Sequence, residues 1–358
     1  MRYEIESIAI PSTLHEPDAI DFIACNHIRN TVETLAYGTD ELSRYPDDVL
    51  PHWQDQKHAP IRQYGIRVDG VIVARSVYQT IPDATTAWLT VEVLPEHRRR
   101  DMGTALADHI EEVATDEGRT NLLVYCASAD VDGERLFAAT GVGSVPFDNP
   151  EVQFLLTRGY TLEQVERGSR LALPIDVKAT AIRLAEVAPA GYRLHYWSTR
   201  TPDRWADDLT VLLTRMSTDA PSAGLDEPED VWSVDRLRTN EEALAQTPVD
   251  SLVVAVEDAA SGHLVGFSDL RVPTDVTRVV RQEDTIVLRE HRGRRLGLVL
   301  KLANLLNLEK EHPGHPAVVT FNAEENRHML DVNESVGFVP IGYEGAWKKD
   351  ASVVSGAR

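Results

Sequence analysis

The sequence predicts an α/β (α+β) chain made of two similar domains in tandem. A fourteen-residue stretch occurs twice, as Val93–Leu106 (VLPEHRRRDMGTAL) and Val287–Leu300 (VLREHRGRRLGLVL), 194 residues apart, with eight identical positions and no gap. A period this long marks duplicated domains rather than a solenoid. The same order of β-rich and helical segments surrounds each copy, and 358 residues suit two cores better than one.

Ahead of the first copy, IRVDGVIVARS splits at Asp69-Gly70; ahead of the second, LVVAVEDAASGHLVGFSDL splits at Ser261-Gly262. Both read as β-hairpins. A further strand runs into each basic loop: Thr86–Leu94 and Glu283–Leu288. Helices follow, with Leu106, Ile110 and Val113 in one half and Leu298, Leu302 and Leu305 in the other at i, i+4, i+7. Short apolar strands come next, Asn121–Cys126 and Ala317–Phe321, then a helix ending at Gly159-Tyr160 or Gly337-Phe338. About sixteen extra residues in the first half fall within Ala127–Asn149. The expected division is residues 1–174, a connector at 175–191 with a short helix near Val177–Val187, and residues 192–358.

Composition narrows the function. The net charge of -21 disfavours a nucleic-acid partner and would attract a cationic small molecule. No apolar run reaches the roughly 18 residues that a membrane span needs. Cys25 and Cys126 stand alone, as in a reduced, cytoplasmic protein, and nothing suggests a metal site. Oligomeric state is not legible.

The chemistry concentrates in the repeated loop. A strand, an Arg-rich loop, a Gly and a helix follow one another in both halves. A helix N-terminus offers unpaired N–H groups and partial positive charge to a phosphate. Gly removes the side chain that would hold the phosphate off, and Arg98, Arg100, Arg292 and Arg294 add charged donors.

These residues resemble the GNAT acyltransferases, whose pyrophosphate loop reads Arg/Gln-x-x-Gly-x-Gly/Ala. Arg100-Asp101-Met102-Gly103-Thr104-Ala105 matches in full. Arg294-Arg295-Leu296-Gly297-Leu298-Val299 departs at Val299, and members often carry Gly where Asp101 and Arg295 stand. Thr320–Asn326, with Asn322 and Asn326, resembles the family's fifth strand and the entry to its last helix. The resemblance implies a mixed sheet in each half, flanked by helices and splayed at the end of its fourth strand, with coenzyme A in the gap. It implies pantetheine pairing to backbone near Val287 and Leu288, or Val93 and Leu94, and acetyl-CoA as co-substrate without a metal.

The acid and base are less clear. Many members place a Tyr four residues before the Gly of Gly-Phe; here Asn333 stands there, a possible donor to the sulfur, and Leu155 in the first half. Glu283 is the candidate base, sharing the face of Val287 by period two. The first half has Glu92 instead, on the opposite face from Val93. The acceptor would meet helices near Pro202–Met216 and Val231–Leu244. The acidic joint Ser217–Asp230 is placed to meet a cation, and Trp197, Trp205 and Trp232 to wall a pocket. Three readings stay open: an N-acyltransferase for a small-molecule amine with its main site in the second half, a catalytically inactive CoA-binding protein, and a protein acetyltransferase.

Overall fold

The computed structural model describes residues 3–82 and 84–352. The first half comprises β1 (Glu6–Ile8), α1 (Ala19–Tyr37), α2 (Pro46–Gln54), β2 (Ile61–Val68), β3 (Val71–Thr80), β4 (Thr86–Val93), α3 (Met102–Asp116), β5 (Asn121–Ser128), a small hairpin of β6 (Arg135–Phe137) and β7 (Ser144–Pro146), α4 (Pro150–Thr157) and β8 (Thr161–Ala172). The second comprises α5 (Val177–Val187), β9 (Tyr192–Ser198), α6 (Ala206–Asp219), α7 (Val234–Leu244), β10 (Val249–Asp258), β11 (His263–Pro273), β12 (Val280–Val287), α8 (Leu296–Glu311), β13 (Ala317–Ala323), α9 (Arg327–Val336) and β14 (Val339–Asp350). At the first hairpin, Asp69 and Gly70 both take positive φ (49° and 85°), as a two-residue turn requires. The extra residues of the first half form the β6–β7 hairpin.

One twelve-stranded sheet runs through both halves, in the order β1-β2-β3-β4-β5-β14-β8-β13-β12-β11-β10-β9. The closing strands are exchanged. β14, from the end of the chain, lies between β5 and β8, with Gly345 opposite Cys126. β8, from the first half, pairs with β13, with Arg167 opposite Asn322. The cores are shared accordingly. Trp347 of β14, 1% exposed, packs with Tyr78, Leu122 and Val165, while Leu171 of β8 packs with Leu252, Leu270, Val318 and Phe338. The sheet does not divide at the boundary expected near residue 174.

Two gaps open in this sheet. Parallel β4 and β5 pair only from Thr86↔Asn121 to Trp88↔Leu123, and β12 and β13 only at Val280↔Val318 and Arg281↔Val319. Beyond these points the strands part. The mixed, splayed sheet that the resemblance implied is present in both halves. Helix α5, in the predicted connector, lays Leu184 against the α8 residues Leu296 and Leu300 and the strand residue Val254.

Candidate active site

The two basic loops share one backbone conformation. Arg99 and Gly293 have φ of 60° and 77°; Asp101 and Arg295 have φ of 63° and 60°. These are left-handed positions, which explains why Gly is common at the second of them. Each loop is braced by the same contact: Arg98 Nε donates to the Val93 carbonyl (3.0 Å), and Arg292 Nε to the Val287 carbonyl (2.9 Å). Helices α3 and α8 start at Met102 and Leu296, so the N–H groups without intrahelical acceptors belong to Met102, Gly103 and Thr104, and to Leu296, Gly297 and Leu298.

Several predicted contacts are corrected by this geometry. The N–H groups of Ala105 and Val299 already donate to Asp101 and Arg295, closing the first helical bonds. Val299, Leu296 and Met102 turn their side chains into the core. Leu288 is closed at both backbone groups, its N–H on Val265 and its carbonyl accepting from His291; Leu94 repeats this with Val73 and His97. In an antiparallel ladder neighbouring residues alternate in direction, so Val287 and Val93 face the gap instead. Arg292 also donates to Asp219 (2.7 Å), which pairs with Arg289 as well, and Arg294 donates to the Glu290 carbonyl (2.8 Å).

In the second half the gap is a cavity of about 440 Å³, bounded by Thr285, Val287, Gly297, Leu298, Asn322 and Asn326. No heavy atom lies within 4 Å of where a Cβ on Gly297 would stand. At the inner end of the gap it meets a second cavity of about 660 Å³, and Glu283 and Asp284 line both. The larger cavity lies beneath α6 and α7 and is walled by both halves: Arg44, Tyr45, Asp48 and His52 on one side, Trp232, Phe267, Asp269, Arg271 and Arg281 on the other. Both volumes are in the range of small-molecule sites.

Comparison with known proteins fits this geometry. Residues 28–141 match the model of the acetyltransferase (GNAT) family. A tandem GNAT protein from the clavulanic acid biosynthesis pathway superposes with a TM-score of 0.72 at 23% identity, covering 97% of this chain and 98% of that one. This chain has a tandem GNAT-like fold. A GCN5-related N-acetyltransferase from Sphaerobacter thermophilus superposes with a TM-score of 0.60 at 15% identity, covering 98% and 96%. No curated protein matches the sequence.

The family model falls on the first half of the chain, where the loop motif is complete, yet the open gap is in the second. In the first half the gap is filled. Only about 60 Å³ remains among Leu89, Val91, Val124, Cys126, Phe154 and Tyr160. A Cβ on Gly103 would touch Val93 at 3.7 Å and Phe154 at 4.0 Å. Glu92 is tied to Arg75 in a buried ion pair. Gly103→Asp is therefore expected to leave acetyl-CoA affinity and turnover within about twofold of the parent, since the new Cβ meets only ordinary van der Waals contacts and the site lies in the other half. Loss of activity in this variant, measured beside Gly297→Asp, would reverse the assignment of the two halves.

The carboxylates of the second half owe their position to a β-bulge. β11 and β12 pair at Ser268↔Thr285 and again at Leu270↔Gln282, so Asp269 faces two residues, Glu283 and Asp284. In the first half β3 and β4 pair without interruption from Ala74↔Val93 to Thr80↔Ala87. The extra residue shifts the alternation by one. Glu283 consequently does not share the face of Val287: Val287 packs toward α8, while Glu283 lines the cavity under α6, on the side of Ile286. Two buried amides hold the disrupted ladder. Gln282 Nε2 donates to the carbonyls of Asp269 (2.8 Å) and Asp284 (3.2 Å), and Asn304 Nδ2 to those of Leu252 and Ser268 (both 3.0 Å).

Asp284 was not singled out in the sequence. Burial, with Glu283 and Asp269 nearby, pushes its carboxyl up to about 7. A Glu-Asp pair in a strand carries no signal by itself; only the bulge turns both residues to the cavity.

Asn333 is also displaced from its expected role. It is 1% exposed, and its Nδ2 donates to Asn322 Oδ1 (2.6 Å). It stands behind Asn322 and orients it rather than lining the gap. Asn326 caps α9, accepting from the Met329 N–H. Lys301, one turn beyond Gly297, lines the gap with burial pulling its ammonium down to about 7.

The acidic joint does not reach the acceptor cavity either. Asp219 binds Arg289 and Arg292, Asp226 binds Lys348, and Asp230 binds Arg236. Leu225 seats the joint on Leu123 and Ala346 of the first half's sheet. Trp232 lines the cavity, whereas Trp205 lies in the core and Trp197 packs against it.

Proposed function

We propose that the second half transfers an acetyl group from acetyl-CoA to the primary amine of a small molecule, by direct attack. The observation that carries this reading is the meeting of two cavities at Glu283 and Asp284. The N–H groups of Leu296, Gly297 and Leu298, with Arg295 beside them, fit a pyrophosphate, and the open space over Gly297 admits one. Acyl-CoA would supply an activated carbonyl and a thiolate leaving group.

The chain's own residues do the rest. Asp284 takes the proton of the ammonium as the nitrogen approaches the carbonyl carbon; a carboxyl near 7 accepts that proton and releases it at neutral pH. The Val287 N–H, on the open strand edge, is placed to donate to the carbonyl oxygen as negative charge develops there. The thiolate departs without a phenolic acid, which a thiol of pKa about 8.5 tolerates. A cavity of about 660 Å³ walled by both halves is of the size that holds a small acceptor.

Neither cysteine suits a covalent route. Burial pushes the Cys25 thiol up to about 12 and that of Cys126 well above its usual value. A nucleophilic cysteine needs the opposite shift. Release of free thiol from acetyl-CoA should therefore depend on an added amine. Cys25→Ala/Cys126→Ala should keep that rate within about threefold, allowing for modest effects of core truncation. No thiol release with any of a broad panel of amines would sink the reading. A protein mass shift of one acetyl group, formed and lost at the turnover rate, would sink direct transfer.

A further inference from the structure

Carboxylates outnumber arginines around the cavity under α6 and α7, yet two of the arginines there are held by none of them at ion-pair distance. Four arginines line it: Arg44, Arg271, Arg278 and Arg281. Arg271 pairs with Asp269 (3.0 Å) and Arg278 with Asp48. Arg44 and Arg281 have no carboxylate at ion-pair distance among the described residues. Arg281 Nη2 donates only to the carbonyls of Leu42 (2.7 Å) and Ser43 (3.3 Å), and no side-chain bond is made by Arg44. Two half-buried guanidinium groups close enough to repel one another, with Glu33 and Glu283 near but no carboxylate in direct contact, leave donors that an anion between them would satisfy.

The arrangement is fixed in place. Asn26 and Asn30 of α1 donate to the Arg44 carbonyl (2.8 and 2.7 Å), and Asn30 accepts from the Arg44 N–H (3.0 Å). The segment that carries Arg44 is thereby clamped across the mouth of the other half's cavity. On β12, Arg281 stands three residues before Asp284, on the cavity side of the strand. Burial and the nearby Arg44 hold the Arg281 guanidinium down to about 9, as expected for a cation without a partner.

We propose that the acceptor is an amine that also carries an anionic group, a carboxylate or a phosphate, held between Arg44 of the first half and Arg281 of the second. This rests on the reading of the second half as the acyl-transfer centre and specifies its substrate class. The amine lies toward Asp284 and Glu283, and the anion toward the two arginines. The acceptor is then zwitterionic, matching a cavity that presents both carboxylates and two unpaired arginines. It also gives the first half a task that a filled gap leaves open to it: completing the partner half's acceptor site.

The test is calorimetric binding to the full-length protein in the presence of coenzyme A. Linear ω-amino acids from glycine to 6-aminohexanoate would be compared with alkylamines and aminoalkylphosphonates of matching length. At least one anionic series should bind about ten- to a hundredfold more tightly than its alkylamine, the range expected of charge-assisted bonds to arginine. A preference within the carboxylate series identifies a carboxylate, and one within the phosphonates a phosphate. In Arg44→Gln, which breaks no side-chain hydrogen bond or ion pair among the described residues, and in Arg281→Lys, which keeps the charge but loses the fork, that preference should shrink toward unity. No anionic probe binding better than its alkylamine overturns the proposal, as does a preference that survives both variants. Binding is read without turnover, so thiol release separately decides whether acyl transfer occurs.

Discussion

Gly297→Asp should lose acetyl-CoA binding by one to three orders of magnitude in calorimetry, with amine acetylation falling in parallel. The physical reason is charge at close range. Two unit charges at about 4 Å interact by roughly 1 kcal/mol in water and about 4 kcal/mol near a protein surface, and the variant sets a carboxylate against a diphosphate. Folding should not suffer. Gly297 sits in the first turn of α8, with nothing within 4 Å of the new Cβ, and an acid there complements the helix dipole. Gly297→Ala separates size from charge: it should fold at least as well, since Ala exceeds Gly in helix propensity by about 1 kcal/mol. It should lose much less affinity than the Asp variant. Equal affinity in Gly297→Asp and the parent would remove the pyrophosphate from this loop.

Asp284→Asn should lower kcat by about 10²- to 10⁴-fold, the usual contribution of a general base. In the parent, rate should rise with pH through about 7, as Asp284 loses its proton. The variant should lose that inflection and keep only the slow rise that comes from free amine. Glu283→Gln, at an exposed carboxylate, should cost less than about tenfold. Stability gives an independent reading. Asp284 has a folded-state pKa of about 7, above the unfolded value of about 4. Between those values the unfolded chain ionises while the folded one resists, so stability is lost as pH rises from about 4 to 7. Asn, neutral throughout, removes this loss, and its gain in Tm should be larger at pH 8 than at pH 4. A fully active Asp284→Asn with an inactive Glu283→Gln would return the role to Glu283.

What could be read in the sequence was local. The paired loops at Val93–Leu106 and Val287–Leu300 specify strand, left-handed turn and helix start within a few residues, and they recur with the same dihedral angles and the same Arg-to-carbonyl brace. The hairpin at Asp69-Gly70 and the short helix near Val177–Val187 likewise depend on residues close together in the chain.

The misread residues are those whose position depends on distant partners. Glu283 was placed by strict alternation, which a single extra residue opposite Asp269 reverses. The family's pattern makes Asn333 a donor to the sulfur, but Asn322, eleven residues earlier, takes its hydrogen. The acids of Ser217–Asp230 suggested a cation site, but their arginine and lysine partners lie on other elements.

The sequence by itself determined that the chain holds two α/β units of one design, each with a helix start shaped for phosphate, because turn, cap and periodicity are set by neighbouring residues. Tertiary structure alone decided that β8 and β14 change places, that Phe154 and its neighbours fill one gap while the other stays open, and that Arg44 and Arg281 line one shared cavity. A strand's alternation shows which face is buried but not which edge it will pair with, and a charge in the chain gives no sign of the distant group that will meet it.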